Sequence, residues 1–267
     1  MYNQDLAKKY WESRITGNDG DRSVLYYSEN SIVNDYYDRW EKRVIIDHIG
    51  DSLSSKNILD IPVGSGRWTN ALLERGGIID CVDISQKIIN VAKNNSNIFD
   101  TSKLNYNVST VKELSYKKKS FDYILCTGLF EHLPEEDYLF ATGVFSNMLK
   151  KEGLIILVVN NKYNKLLHVK KDNPYRKSNQ LENGYYGGIT DIDKIFERFE
   201  KEKISIEKCA ANPMFSALRH LCKNIKSHDT LEQIYKNALE NDVMLFGELD
   251  NIKNIISDQI IIFGRKK

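Results

Sequence analysis

The sequence predicts an α/β fold built around a doubly wound parallel sheet. From residue 57 onwards, short apolar runs alternate with helical stretches, and this alternation is typical of parallel strands joined by helices. One apolar run leads directly into a glycine turn, which is a second mark of this fold class. The predicted strands lie at 57–61, 78–84, 104–108, 121–126, 153–159, 203–209 and 258–267.

Changes in composition and periodicity divide the chain around these strands. A length of 267 residues favours one domain with additions over two full domains. Before the first strand, aromatic and apolar residues recur at helical intervals, and no strand is predicted there. A long connection without periodicity is usually a lid or a binding loop. The predicted parts are an N-terminal helical cap at 1–55, a core at 56–160 with helices near 67–75, 85–94 and 135–150, a lid loop at 161–188, and a helical insertion at 212–255 before the last strand.

The composition argues against several classes of protein. Thirty-eight basic and 37 acidic residues leave a net charge of +1, so the strong positive field of a nucleic-acid binder is missing. No apolar run approaches the ~20 residues that cross a bilayer, and the first residues lack the apolar segment of a signal peptide. The four cysteines form no CxxC pair, so neither a zinc site nor a disulfide framework is predicted. We expect a cytoplasmic protein without a metal or a membrane anchor.

Two acidic residues accompany the glycine turn. Asp60 ends the first predicted strand, just before Gly64 and Gly66. A carboxylate at this place would repel the diphosphate of a dinucleotide, but it suits a cationic amino group such as that of S-adenosylmethionine. Asp83 ends the second strand, where an acid can accept hydrogen bonds from both ribose hydroxyls. The alternative is that Asp60 caps the turn and that Asp83 caps the next helix together with Ser85.

These residues resemble the first motifs of the class I S-adenosylmethionine-dependent methyltransferases of the small-molecule type. The resemblance spans about 55–160 and, weakly, 188–267, and Pro62 departs from it where a first glycine is common. It implies a Rossmann-like, seven-stranded sheet with N-terminal helices and a helical or lid insertion. It also implies that 56–160 binds S-adenosyl-L-methionine, with S-adenosyl-L-homocysteine as the product. The implied cofactor-binding residues are Asp60, Pro62, Gly64, Gly66, Asp83, Ile84, Thr110, Val111, Thr127 and Gly128.

The later motifs follow the third and fourth strands. Thr110 stands where the family often has an aspartate, and its hydroxyl can still hydrogen-bond the adenine amine. The fourth strand leads into an Glu131-His132-Leu133 segment similar to that of many small-molecule members. Since strand ends face the ligand crevice, His132 is predicted as a general base that takes a proton from the acceptor. The alternatives are that His132 caps the next helix, hydrogen-bonds a backbone carbonyl, or only positions the acceptor.

The acceptor is expected to contact the parts outside the core. Cations crowd the 161–188 loop and suit a phosphate or carboxylate, while tyrosines offer flat faces and hydroxyls to a sugar-sized molecule. The alternatives are that the cations lie on a solvated loop that contacts no ligand and that the tyrosines pack within the protein in the ordinary way. The predicted acceptor-binding residues are Tyr26, Tyr27, His168, Lys171, Arg176, Tyr185 and Tyr186. We expect a small polar or anionic metabolite, such as a phosphorylated or sugar-type intermediate of surface-polysaccharide or natural-product assembly.

Competing functions differ in class. A methyltransferase acting on RNA or protein keeps the fold, but the near-neutral charge and the lack of an NPPY-like segment after the fourth strand count against it. A non-catalytic, methyltransferase-like binding protein is the third hypothesis, with Pro62 and Thr110 as its only hints. A nicotinamide-dependent reductase needs a third glycine after Gly66 and no Asp60, and it fails on both. A monomer and a homodimer both agree with the sequence.

Overall fold

The computed structural model of this protein describes residues 2–15, 31–164, 179–222, 224–240, 245–247 and 257–267. The strands of its main sheet are β1 (Asn57–Asp60), β2 (Ile78–Asp83), β3 (Leu104–Val108), β4 (Phe121–Thr127), β5 (Leu149–Asn160), β8 (Ile204–Ala211), β9 (Leu245–Gly247) and β10 (Gln259–Lys266). A separate two-stranded hairpin consists of β6 (Asn179–Gln180) and β7 (Tyr186–Gly187).

Helices flank the sheet and precede it. They are α1 (Gln4–Ser13), α2 (Ser31–Ile49), α3 (Arg67–Leu73), α4 (Gln86–Asn95), α5 (Glu135–Met148), α6 (Ile192–Lys201), α7 (Pro213–Leu221) and α8 (His228–Glu240). Polar caps explain where several of them begin: the side chains of Ser85, Asp191 and Asn212 accept backbone N–H groups of α4, α6 and α7. No helix in the described part of the chain is long and apolar enough to span a bilayer.

The strand order confirms the predicted fold class. The main sheet runs β3-β2-β1-β4-β5-β10-β8-β9. Strands β1 to β5 pair in parallel, while β10 lies antiparallel between β5 and β8. From β1 the chain builds outward to β2 and β3 and then returns to β4 on the other side. The carboxyl ends of β1 and β4 therefore form a topological switch point, where open α/β sheets bind their ligands.

Side chains of the central strands alternate between two apolar clusters, one on each face of the sheet. In β1, Ile58 belongs to one cluster and Leu59 to the other. In β10, Ile261 and Phe263 face the first cluster, whereas Ile262 faces the second. A strand exposes successive side chains to opposite faces, so a sheet covered by helices on both sides needs apolar residues at every position. This is why the sequence shows short continuous apolar runs.

The insertion at 212–255 differs from the helical prediction at one point. Helices α7 and α8 are present, but β9 adds an eighth strand that pairs antiparallel with Cys209–Ala211 at the edge of β8. The outer edge of β8 offers backbone N–H and C=O groups that a short segment can satisfy. A strand of this length has no periodicity that a sequence pattern can reveal. In the predicted lid loop, the hairpin of β6 and β7 is likewise too short to be recognised.

Candidate functional site

A pocket of about 550 Å³ opens at the switch point, within the usual size range of small-molecule sites. Its walls come from the turn after β1, the ends of β2 and β4, the segment after β3, and helix α1. The predicted residues that line it are Pro62, Gly64, Asp83, Ile84, Thr110, Val111, Thr127, Gly128, His132 and Tyr185. The described residues hold no group of three or more His, Cys, Asp or Glu side chains that could bind a metal.

The glycine turn offers both backbone and side-chain polar atoms to the pocket. Gly64 has a φ of 54°, in the left-handed region that favours glycine, and its amide donates a hydrogen bond to Asp83 Oδ2 at 3.2 Å. Ser65 and Trp68 line the pocket and are almost fully buried, yet Ser65 Oγ and Trp68 Nε1 have no hydrogen-bond partner among the described residues. Buried polar groups are normally paired, so these two atoms are available to a ligand.

Asp83 is a buried carboxylate at the pocket wall. Its side chain accepts hydrogen bonds from the backbone amides of Gly64 and Ser85, both at 3.2 Å. Burial raises the pKa of Asp83 to about 7, although these amides oppose the shift. The cap of α4 is the Ser85 hydroxyl, which accepts from Lys87 N at 3.1 Å. Asp83 therefore does not cap that helix, and it is one of the residues that line the pocket.

Two residues of the glycine motif, Asp60 and Gly66, are not among the residues that line the pocket. Asp60 is 1% exposed and does not line the pocket, because Thr69 Oγ1 donates to its Oδ2 at 2.7 Å. Burial raises its pKa to about 7. Gly66 begins α3 with a φ of 86°, and a Cβ there would lie 3.4 Å from the backbone of Ala92. Asp60 thus ties the turn to α3, and Gly66 lets α3 pack closely against α4.

In the structure the Thr110 hydroxyl, which was predicted to hydrogen-bond adenine, is hydrogen-bonded to Glu113. Its hydroxyl donates to Glu113 Oε2 at 3.0 Å and accepts from the Glu113 amide at 3.3 Å, so both of its hydrogen-bonding functions are engaged. Val111 is buried, and both residues line the pocket beside the end of β3. On the opposite side, Thr127 and Gly128 end β4, with Gly128 at a φ of 66°. The two segments bracket the pocket as the parallel strand order requires.

His132 lines the pocket in a single tautomer. Its Nδ1 lies 2.9 Å from the carbonyl oxygen of Tyr186. A carbonyl can only accept, so Nδ1 carries the proton and Nε2 holds the lone pair of the neutral ring. Burial lowers the pKa of His132 to about 4, and Arg14 contributes to the same shift. The ring is therefore neutral near pH 7 and is a weak base.

Helix α1 covers the pocket, a feature that the sequence did not assign to particular residues. Tyr10, Trp11 and Arg14 line the pocket from this helix. The Trp11 ring meets the His132 ring edge-on, with ring centres 4.8 Å apart. Glu12 connects α1 to the cofactor side, because Ser85 Oγ donates to its Oε1 at 2.5 Å. The signal in the sequence was an aromatic pair in an otherwise charged helix, which a helical pattern alone does not place over a site.

The hairpin of β6 and β7 holds α1 in place. The Asn3 amide donates to Gln180 Oε1 at 2.7 Å, and Gln180 Nε2 donates back to the Asn3 carbonyl at 2.8 Å. The Tyr185 ring packs against Tyr10 at 5.0 Å and lines the pocket. Tyr186 does not line it, because its ring packs edge-on against Tyr2 and is 8% exposed. Tyr186 contributes its carbonyl oxygen, which accepts the hydrogen bond from His132 Nδ1, and its contact with an acceptor stays a prediction.

The remaining predicted acceptor residues, Tyr26, Tyr27, His168, Lys171 and Arg176, lie outside the described residues. Charged residues that the sequence did not select line the pocket instead. Arg219 of α7 pairs with Asp258 through an NH1–Oδ2 distance of 3.1 Å. Glu131, next to His132, is 5% exposed, and its Oε2 has no hydrogen-bond partner among the described residues. In the sequence, the only signal that Arg219 and Glu131 line the pocket is that each follows shortly after the end of a strand.

Replacing Gly184 with alanine tests the attachment of α1. Gly184 has a φ of 93°, and a Cβ there would overlap the carbonyl oxygen of Leu6 in α1. We expect Gly184→Ala to speed up hydrogen exchange of the α1 amides about tenfold or more, which corresponds to ~1.4 kcal/mol. The control is Gly50→Ala, at a φ of 87° with nothing within 4 Å of the added Cβ. Equal exchange of α1 in both variants would show that the hairpin does not hold this helix.

Comparison with known proteins agrees with this geometry. Residues 58–153 match the family model described as a methyltransferase domain. The ubiquinone biosynthesis O-methyltransferase of Coxiella burnetii (strain Dugway 5J108-111) is 34% identical over 84 residues, which cover 32% of this chain and 36% of that protein. The protein of that name from Xanthomonas campestris pv. campestris (strain B100) is 25% identical over 57% of this chain and 56% of its own. This chain thus matches less than two thirds of either relative.

Solved structures share the fold over nearly the whole chain. Phosphoethanolamine N-methyltransferase 1 of Haemonchus contortus, solved with phosphoethanolamine and S-adenosylhomocysteine, has a TM-score of 0.65 at 13% identity and covers 98% of this chain and 48% of its own. Magnesium protoporphyrin IX methyltransferase from Synechocystis PCC 6803, solved with S-adenosylhomocysteine, has a TM-score of 0.64 at 13% identity and covers 99% of both chains. Residues 58–153 thus resemble a methyltransferase domain, and the chain as a whole has the fold of these S-adenosylmethionine-dependent methyltransferases.

Proposed function

We propose that this chain binds S-adenosylmethionine and transfers its methyl group to a small-molecule acceptor. The main support is Asp83, whose buried carboxylate accepts a hydrogen bond from the Gly64 amide and which lines the pocket at the topological switch point. A carboxylate there suits the two ribose hydroxyls of the cofactor. The methyltransferase domain match at 58–153 covers this part of the site.

The residues around the pocket fit the rest of the cofactor. Ser65 Oγ and Trp68 Nε1 are buried polar atoms that a ligand can satisfy, and they lie beside the glycine turn. Val111 offers an apolar surface to adenine, while Thr127 and Gly128 would face the methionine part. When bound, S-adenosylmethionine supplies a methyl group already activated on a sulfonium. Asp60 supports this site from behind the turn through Thr69, without touching the pocket.

The chain's own residues would orient the acceptor and exclude water. Because the sulfonium is already activated, much of the acceleration can come from alignment. The Tyr186 carbonyl fixes the His132 ring, and the rings of Trp11 and Tyr185 pack against it in T-shaped contacts. In this tautomer Nε2 of His132 can accept a hydrogen bond from a polar group of the acceptor other than the one that is methylated, and α1 covers the pocket. His132 therefore acts mainly by position.

The acceptor we propose is a small polar or anionic metabolite. Arg14 and Arg219 line the pocket, and a guanidinium binds a phosphate or carboxylate with two parallel hydrogen bonds. The rings of Tyr10, Trp11 and Tyr185 add flat surface for a sugar or another ring. Two similar structures were solved with phosphorylated molecules, phosphoethanolamine in one and geranyl diphosphate in the other. The Coxiella relative is instead named for ubiquinone biosynthesis, so a flat hydroxylated ring belongs in the same acceptor screen.

Titration calorimetry with S-adenosylmethionine and S-adenosylhomocysteine tests the proposed cofactor. We expect both to bind the parent protein, and we expect Asp83→Ala to weaken both by tenfold or more. Each charge-assisted hydrogen bond that is lost costs about 1.5–3 kcal/mol. Both ligands carry the ribose, so the loss should be similar for the two.

Asp80→Ala is the matched control, because Asp80 lies on the same strand but accepts from Asn105 Nδ2 at 2.7 Å away from the pocket. We expect cofactor binding by this variant to match the parent. A folded parent that binds neither ligand would overturn the proposal. Binding without turnover on any small anion, sugar or phenol would favour the non-catalytic hypothesis, and methylation of RNA or protein instead would favour the second enzyme hypothesis.

A further inference from the structure

Glu131 stands apart from the other buried carboxyl groups beside the pocket. Asp60 is held by Thr69, and both oxygens of Asp83 accept backbone amides. Glu131 lines the pocket and is 5% exposed, but its Oε2 has no hydrogen-bond partner among the described residues. A buried carboxyl oxygen without a partner costs free energy unless a ligand satisfies it. The carboxyl group of Glu131 can therefore accept a hydrogen bond from a ligand in the pocket.

The backbone fixes where this carboxyl group lies. Glu131 belongs to a short 3-10 turn that follows β4, and its carbonyl oxygen accepts the Gly188 amide at 2.8 Å. Gly128 stands beside it, since a Cβ at Gly128 would lie 3.8 Å from Glu131 Oε1. The end of β4 is the part of the site proposed to face the methionine moiety. Glu131 is thus placed on the side where the methyl group and the acceptor meet.

We propose that Glu131 Oε2 is the atom that receives the proton of the acceptor's hydroxyl or amine as the methyl group is transferred. The acceptor atom forms its bond to the methyl carbon, the carbon–sulfur bond breaks with its electron pair going to sulfur, and the acceptor's proton passes to the Glu131 carboxylate. The resulting carboxylic acid releases this proton to solvent when the products leave, which regenerates the carboxylate. This inference rests on the proposed function and deepens it, because it gives the proton transfer to Glu131 and leaves positioning to His132.

The titration of the two neighbours supports this division. Burial raises the pKa of Glu131 to about 7, while it lowers that of His132 to about 4. A general base works best with a pKa near the operating pH. The titratable groups that interact with the Glu131 carboxyl group are Glu41 of α2 and Cys126 of β4, and His132 is its neighbour in sequence. Of these, Glu41 adds to the upward shift of the pKa.

Proton release on ligand binding tests the position of Glu131 without an acceptor. With a pKa of about 7, roughly half of the Glu131 side chains carry a proton at pH 7. A sulfonium nearby favours the carboxylate, whereas the neutral thioether of S-adenosylhomocysteine does not. We expect S-adenosylmethionine to release up to about half a proton more than S-adenosylhomocysteine at pH 7. Calorimetry in buffers of different ionisation enthalpy measures this difference.

Glu131→Gln should abolish the difference while both ligands still bind, whereas Glu136→Gln, an exposed neighbour outside the pocket, should keep it. If Glu131→Gln does not fold, the parent alone decides: the difference should vanish at about pH 9, where the carboxyl group is already ionised before either ligand binds. Equal proton release by the two ligands at pH 7, or a difference that persists in Glu131→Gln, would overturn this inference. The absence of any binding would instead overturn the proposed cofactor.

Discussion

Trp40→Ala is expected to lower the free energy of unfolding by about 3–5 kcal/mol, because truncating a buried aromatic side chain removes its burial and leaves a cavity. Trp40 is fully buried at the centre of α2, within the apolar cluster that covers one face of the sheet. Its ring also meets that of Tyr37 edge-on at 5.5 Å. Urea unfolding followed by circular dichroism measures the loss.

Phe140→Ala is the control for this prediction, since Phe140 lies on α5 with 49% of its surface exposed. A surface substitution of this kind should stay within about 0.5 kcal/mol of the parent. Both variants replace an aromatic residue in a helix with alanine, so they differ mainly in the burial of the ring that is removed. If Trp40→Ala lowered the free energy of unfolding as little as Phe140→Ala, α2 would contribute little to the stability of the core.

Arg67→Gln is expected to lower the free energy of unfolding by a comparable amount, because it removes one partner of a buried ion pair. Arg67 NH1 lies 2.5 Å from Glu41 Oε2 and 2.5 Å from Asp38 Oδ1, and Glu41 is fully buried. Removing one partner of a buried ion pair leaves an uncompensated charge and costs about 3–5 kcal/mol. Replacing both, in Arg67→Gln with Glu41→Gln, should recover most of this loss. Lys194→Gln, which breaks an exposed pair with Glu135, should leave the free energy of unfolding nearly unchanged, because solvent screens exposed ion pairs.

The same variant should change how stability depends on pH. Burial raises the pKa of Glu41, and Arg67 opposes the shift, so the pKa rises further when Arg67 is removed. The folded state then keeps a proton that the unfolded chain has already lost, and raising the pH favours unfolding. We expect the loss of stability in Arg67→Gln to be larger at about pH 8 than at about pH 5. An equal loss at both pH values would show that Glu41 stays protonated throughout, and that the pair is not ionic.

The fold was largely predictable because its causes are local in sequence. Each central strand must be apolar on both faces, so runs such as 153–159 stand out from their polar surroundings. Caps such as Ser85 and Asp191 mark helix starts. The strand β9 and the hairpin of β6 and β7 escaped prediction, because two or three residues carry no period and their pairing depends on edges supplied by distant parts of the chain.

The residues of the site likewise differ in whether their position depends on local sequence or on contacts with distant parts of the chain. The glycine turn, the acid after β2 and the segment after β4 can be identified from the sequence, since each follows directly from a strand whose end must face the crevice. Three features become visible only in the folded chain: α1 covers the pocket, Asp60 and Gly66 are not among the residues that line it, and Glu131 has a buried oxygen without a hydrogen-bond partner among the described residues. Motif order reports the position of a residue along the backbone. Burial, side-chain direction and pKa depend on neighbours that are far away in sequence, such as Thr69 at Asp60 and Tyr186 at His132.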